Sequence, residues 1–257
     1  PPNPEDDDLN ATVIEVMTDV EVLLDGSSVI DVFAASSARR KRVEVSERKL
    51  TESDRKLCKK AKEQELQSWL DHKVFDVVKK KFVDQERVMR ARWVLTWKST
   101  GKAKARLCVL GFQDPDLTEV PRDSPTLSSA SEALIMQWVA SHKYRLISGD
   151  IKTAFLSGDE DIRNIFISPP DDVRQMLNLD HETVLRLRKA VYGLVNAPKK
   201  WWDRLKTSLI KHGFTSCALD PCAFVLRKSG KIHGVLGVHV DDVIGGGNET
   251  FDRTMAT

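Results

Sequence analysis

The chain has 257 residues, 41% of them apolar and 30% charged, which allows one large core or two smaller ones. No apolar run approaches the ~18 residues of a membrane span, and four scattered cysteines (Cys58, Cys108, Cys217, Cys222) fit neither a disulfide framework nor a metal-ligand spacing, so a membrane protein and a disulfide-stapled secreted domain are both disfavoured. The net charge of +2 hides an asymmetry: residues 1–38 carry nine acids and no Lys or Arg, so the rest must carry +11, a balance that suits a polyanionic partner as well as a merely soluble basic surface.

Taken in order, residues 1–50 read as an acidic and then basic tail or linker, mostly disordered, with a short apolar stretch at Val13–Leu24. The cluster Arg39-Arg40-Lys41-Arg42 reads as a nucleic-acid contact, a nuclear address or a solvated linker. Thr51 with Asp54 three residues on opens a helix, and Leu57, Ala61, Leu66, Trp69 and Leu70 carry it to about His72. Lys79-Lys80-Lys81 marks a turn. Val88–Trp97 and Lys104–Leu110 read as two strands joined at Ser99-Thr100-Gly101-Lys102. Side-chain alternation puts Lys102, Lys104 and Arg106 on one face, where they suit a triphosphate, a nucleic-acid backbone or simply water.

Ser129–His142 reads as a helix with Ala130, Ala133, Leu134, Trp138 and Val139 on its apolar stripe. A strand from Tyr144 ends at Gly149-Asp150, which leaves the Asp150 carboxylate at a strand's end, and a short helical turn follows. Asn164–Ser168 and Thr183–Lys189 are further strands. Pro198 opens a helix whose buried face is Trp201, Trp202, Leu205, Leu209 and Ile210, and Gly213 ends it. Ala223–Arg227 and Lys231–Val240 are strands around Ser229-Gly230. This order predicts an α+β domain in which helices back an antiparallel sheet. The chain opens without Met and stops ten residues after Gly247, so it reads as a piece of a longer protein.

The stretch Leu236–Gly247 stands out. Apolar, β-branched runs flank Asp241-Asp242, which predicts a hairpin with the two acids as its turn. Adjacent carboxylates repel unless a cation sits between them, and a hard divalent ion with oxygen ligands, usually Mg²⁺, answers that need. Asp-Asp alone reads equally well as a solvated hairpin tip.

Several blocks, in this order, resemble the reverse transcriptase of copia-type LTR retrotransposons: Arg92-Trp93-Val94; Lys104-Ala105-Arg106-Leu107 with Gly111-Phe112; Asp150 through Gly158; Ala190-Val191-Tyr192-Gly193-Leu194 with Ala197-Pro198 and Trp201; and Val240-Asp241-Asp242. The likeness runs from about Ala61 to Gly247. It implies the fingers and palm of a right-hand polymerase over residues 51–257, with the thumb, connection and RNase H absent from this stretch and an integrase expected upstream in a Pol polyprotein. It also implies RNA-directed DNA polymerase activity on an RNA or DNA template with a primer and dNTPs, using two Mg²⁺ ions, with Mn²⁺ as the substitute.

By the same resemblance Asp150, Asp241 and Asp242 are catalytic and hold metal, together with the main-chain carbonyl of Ile151. Lys104 and Arg106 grip the triphosphate. Ile151, Ala154, Phe155 and Asn196 contact the nucleotide, with Phe155 as the gate against a ribose 2′-hydroxyl. His239 meets primer and template. Two positions depart from the family pattern: His239 stands where Tyr is usual, keeping a flat ring and a donor, and Asn196 stands where Gln is usual, one methylene shorter. A palm that binds nucleic acid without catalysis is the alternative reading. A Mg²⁺-dependent nuclease would need further clustered acids and a base, which the sequence around Asp150 and Asp241 does not supply.

Overall fold

The computed structural model describes residues 44–98, 100–160 and 163–256, together with the backbone of 14–16. The rest of the acidic segment, the Arg39–Arg42 cluster and Ser99 lie outside the described residues. The elements in chain order are β1 (Ile14–Val16), α1 (Glu52–Asp71), β2 (Phe75–Lys79), β3 (Val88–Trp97), β4 (Ala103–Val109), α2 (Ser129–Ser141), β5 (Ile147–Ile151), β6 (Phe166–Ser168), α3 (Asp171–Met176), β7 (Thr183–Leu187), α4 (Ala197–Lys211), β8 (Phe214–Ser216), β9 (Ala223–Lys228), β10 (Lys231–His239), β11 (Asp242–Gly247) and α5 (Glu249–Met255). The chain is α+β and divides into two units, residues 1–19, 121–159 and 196–257 in one, 20–120 and 160–195 in the other.

The first unit is built on a six-stranded sheet of order β1-β5-β11-β10-β9-β8, antiparallel throughout. Within the acidic segment, Ile14–Val16 thus forms an edge strand where disorder was the expectation. Local chemistry starts each helix. The Ser128 hydroxyl caps α2 by accepting from Ser131 N–H at 3.1 Å. The buried Asp220 carboxylate holds the same cap through Ser128 N–H at 3.0 Å. The Asn248 side chain caps α5. Trp201, Trp202 and Leu209 bury one face of α4 against Phe224, Leu226 and Leu236 of the sheet core. The face that α2 buries overlaps the predicted one only in part: Val139 is buried and Trp138 packs on the core as predicted, but Ile135 is buried too and Leu134 is 69% exposed. Helical spacing allowed either neighbouring stripe, and the sheet beneath selected one. Gly234 and Gly247 pair across β10 and β11, and a Cβ on either would lie within 2.5 Å of Phe251 atoms; their bareness lets that ring sink fully into the core.

The second unit carries a five-stranded sheet of order β2-β7-β6-β3-β4. Here the expectation of a purely antiparallel sheet is corrected, because β3 and β6 run parallel. A parallel pair needs a long crossover, and this one includes residues 121–159, which belong to the first unit. Helix α1 is capped as predicted, Thr51 accepting from Asp54 N–H at 3.2 Å. It lies along the edge strand β4, where the Glu65 carboxylate accepts from Leu107 N–H at 3.3 Å and from the Trp69 indole at 3.3 Å. That side chain covers an edge N–H that would otherwise face solvent. Burial pushes the Glu65 carboxyl above its usual range, against the pull of those two hydrogen bonds and of Arg106 and Lys104.

Helix α1 also buries a lysine. The Lys62 ammonium bonds Glu47 at 2.5 Å and Asp172 at 2.8 Å, lies 5.3 Å from the Trp93 ring centre, and is closed in by the Trp93 indole donating to Asp172 at 2.9 Å. Burial works against its charge, but the two carboxylates outweigh that and hold its pKa above the ordinary lysine value. Among the described residues no helix is long and apolar enough to cross a membrane. All four cysteines are free thiols, and burial pushes Cys108 up to about 11 and Cys222 up to about 12.

Candidate metal centre

Strands β5 and β11 are neighbours, and their register sets Asp150 directly opposite Asp242. On the other side of β11, Asp242 pairs with His239, the last residue of β10. The hairpin loop is therefore Val240-Asp241, with Asp242 already in the strand, one residue earlier than the predicted Asp241-Asp242 turn. Register decides this: Asp242 is ladder-paired on both sides. The first loop position needs a positive φ, a place usually taken by glycine, and Val240 sits there at φ 62°.

Two hydrogen bonds tie this loop down. The Trp201 indole donates to the Val240 carbonyl at 2.7 Å, and Ile151 N–H donates to the Asp241 carbonyl at 2.8 Å. One carboxylate oxygen from each of Asp150, Asp241 and Asp242 lies within 4.8 Å of the others. Asp150 is exposed; Asp241 and Asp242 are partly so. At that spacing each pair of charges repels by about 0.9 kcal/mol in bulk water and about 3.5 kcal/mol at an effective dielectric of 20. An all-oxygen, three-carboxylate donor set open on one side matches a hard divalent cation such as Mg²⁺ or Mn²⁺.

The other candidate residues of this unit lie on β5, on the turn that follows it, at the start of α4 and at the end of β10. Ile151 and Ala154 have buried side chains. Thr153 adopts the left-handed conformation at φ 53° and leads into the short 3₁₀ turn Ala154–Ser157. Phe155, on that turn, is partly buried against the sheet core. Asn196 is buried at the start of α4, its carbonyl accepting from Lys200 N–H at 2.9 Å. His239 is exposed.

Lys104 and Arg106 belong to the second unit. They share the half-exposed face of β4, while Ala105, Leu107 and Val109 fill the buried face, as the alternation predicted. Lys102 lies before the strand, exposed. The Arg106 guanidinium lies 5.4 Å from the Tyr192 ring centre, a cation–π contact that aims it. Two contributors escaped the sequence reading: Trp201, flagged there only as a core and motif residue, and Glu65 beneath Leu107. An amphipathic pattern signals burial of a side chain, not the direction of its polar atoms.

These observations define an α+β protein with a three-carboxylate centre, of a kind that suits a hard cation, at the end of paired strands. The chain belongs to the reverse transcriptase (RNA-dependent DNA polymerase) family, whose model matches residues 72–253. It is 32% identical over 172 residues to the retrovirus-related Pol polyprotein from transposon RE2 of Arabidopsis thaliana, covering 63% of this chain and 11% of that protein. It is 27% identical over 203 residues to the corresponding polyprotein from transposon TNT 1-94 of Nicotiana tabacum, covering 76% and 15%. A third relative, the transposon Ty1-BL Gag-Pol polyprotein of Saccharomyces cerevisiae, is 26% identical over 147 residues, covering 57% and 8%. The chain thus spans about a tenth of the length of these relatives, and the resemblance to copia-type elements holds.

Proposed function

We propose that this chain is the fingers and palm of an RNA-directed DNA polymerase within a copia-like Pol polyprotein, with integrase upstream and thumb and RNase H downstream. The observation that carries the reading is the convergence of Asp150 of β5, Asp242 of β11 and Asp241 of the loop before it, in a chain of the reverse transcriptase family. Asp150 and Asp241 would hold two divalent ions, with Asp242 beside them and the Ile151 carbonyl completing one site. Bound there, such ions lower the pKa of a primer 3′-hydroxyl and neutralise charge on the triphosphate and leaving pyrophosphate. Lys104 and Arg106 grip the triphosphate; Ala154 and Asn196 border the nucleotide; His239 packs against primer and template. Primer extension on an RNA template tests the reading, using the chain alone and joined to the thumb and RNase H segments of a relative. Extension that needs Mg²⁺ or Mn²⁺ supports it. Binding without extension in the joined form supports the non-catalytic alternative.

Affinity for a primer–template duplex is expected to fall at least about a hundredfold between 50 and 200 mM salt, the release expected from about four phosphate contacts. The +11 carried after residue 38 motivates this. A fluorescence-anisotropy titration that is flat across that range removes the phosphate-contact reading.

Phe155 is assigned to sugar selection. It sits five residues after Asp150, on the turn that leaves the acidic strand, only partly buried. Phe155→Val should raise ribonucleotide incorporation relative to deoxynucleotide by about tenfold or more while sparing dNTP use, since a misplaced substrate can lose about a hundredfold in rate. An unchanged ratio in the joined form makes Phe155 a core residue only.

A further inference from the structure

We propose that Trp201 is a positioning residue: its indole N–H latches the strained Val240-Asp241 loop and so sets where the Asp241 carboxylate points. The loop needs an external hold. Val240 is β-branched and sits at φ 62°, a conformation such residues rarely adopt. Backbone of this kind persists only where its surroundings over-determine it. Here the carbonyls of two successive residues are each bound from a different element: Val240 by Trp201 of α4 at 2.7 Å, and Asp241 by Ile151 N–H of β5 at 2.8 Å.

Trp201 suits this task. An indole can only donate, and when buried it needs an acceptor. The ring is 4% exposed, wedged in the sheet core on the first turns of a helix, so its donor has little freedom. By gripping the Val240 carbonyl it fixes the plane of the Val240–Asp241 peptide. That plane directs the Cα–Cβ bond of Asp241. Without the grip the loop relaxes toward negative φ, and the carboxylate leaves its place beside Asp150 and Asp242. The catalytic consequence rests on the polymerase reading above; the latch itself does not.

The test compares the wild-type chain with Trp201→Phe, Val240→Gly and the double variant. Amide hydrogen exchange by NMR is read at Ile151, which reports the loop, and at Leu236 and Val243, which report the ladder. Losing the latch should speed exchange at Ile151 about tenfold, the size of one hydrogen bond's contribution, and leave the other two within about twofold. Glycine accepts positive φ without strain, so Val240→Gly added to Trp201→Phe should restore most of the protection.

Two further readouts bear on function. In the form joined to a relative's thumb and RNase H, Trp201→Phe should lower kcat for extension about a hundredfold with KM for dNTP nearly unchanged, and weaken Mn²⁺ binding measured by electron paramagnetic resonance. Equal acceleration at Ile151, Leu236 and Val243 means that Trp201 is only a core residue, and no change at Ile151 removes the latch. If the Ile151 effect appears but wild type neither extends primers nor binds Mn²⁺, the latch stands and the polymerase reading falls. Should Trp201→Phe fail to fold, the same comparison is made with benzothienylalanine at position 201, which keeps the bicyclic ring and lacks the N–H.

Discussion

Asp150→Asn is expected to cut dNTP incorporation by at least about a thousandfold while leaving the fold intact. The amide keeps the size and the acceptor oxygen but removes one of three charges that converge within 4.8 Å. Removing one preorganised charge-stabilising group typically costs about a hundred- to a thousandfold, and in the proposed site Asp150 would help to hold both ions. Stability should respond differently. Asp150 is exposed at the end of β5, and its removal relieves repulsion from Asp241 and Asp242. The variant should therefore melt within about 3 °C of wild type without metal, the shift that ~1 kcal/mol produces in a domain of this size. If the three carboxylates hold metal as proposed, Mn²⁺ stabilises wild type by binding the folded state, and the variant should lose that stabilisation. Single-turnover extension in the joined form and a thermal melt with and without Mn²⁺ check both halves. Extension within tenfold of wild type would sink the assignment of Asp150.

Gly193→Ala is expected to destabilise the second unit by about 2–5 kcal/mol. Gly193 has φ 95°, and an added Cβ would stand 2.0 Å from the Val109 carbonyl oxygen. The neighbouring bond, Val109 N–H to the Tyr192 carbonyl at 2.8 Å, holds the two segments at this separation. Gly111 meets the same constraint from the other side, since its Cβ would lie 2.1 Å from the Gly193 carbonyl. Backbone cannot swing away as a side-chain tip can, so the left-handed penalty of roughly 1–2 kcal/mol adds to an overpacking cost of roughly 1–3 kcal/mol. Gly101→Ala is the control: φ is 74° there and nothing lies within 4 Å, so only the backbone penalty applies. Urea midpoints for the two variants separate the contributions. If Gly193→Ala is as mild as Gly101→Ala, the close approach is not tight.

Much of this architecture was legible in the residues. Period-two alternation located β3 and β4 and put Lys104 and Arg106 on the same half-exposed face. The Thr51 cap and Pro198 marked the starts of α1 and α4 within a residue or so. What escaped was short or shared. β2, β8, α3 and α5 hold three to seven residues each, too few for a period to declare itself. The face of α2 had two adjacent candidate stripes, and Leu134 was assigned inward though it is exposed. Lys62 reads as a solvent-facing lysine on a charged helix, yet it is buried because Glu47 and Asp172 approach it from segments 15 and 110 positions away.

The sequence by itself determined the local elements and the kinds of groups available: caps, alternation and turn residues act within four or so neighbours, and no distant contact is needed to read them. Which distant groups meet was decided by strand register and by the packing of helices on the sheets. Asp150 and Asp241 are 91 positions apart, and a slip of one residue between β5 and β11 would send one carboxylate to the opposite face. The same pairing moved the turn to Val240-Asp241 and placed a β-branched residue at positive φ beneath the Trp201 indole. Gly111 and Gly193 likewise look like ordinary motif glycines until two backbone segments close on each other. Such contacts follow from long-range hydrogen-bond ladders, whose register depends on the packing of the whole sheet and not on any window of neighbouring residues.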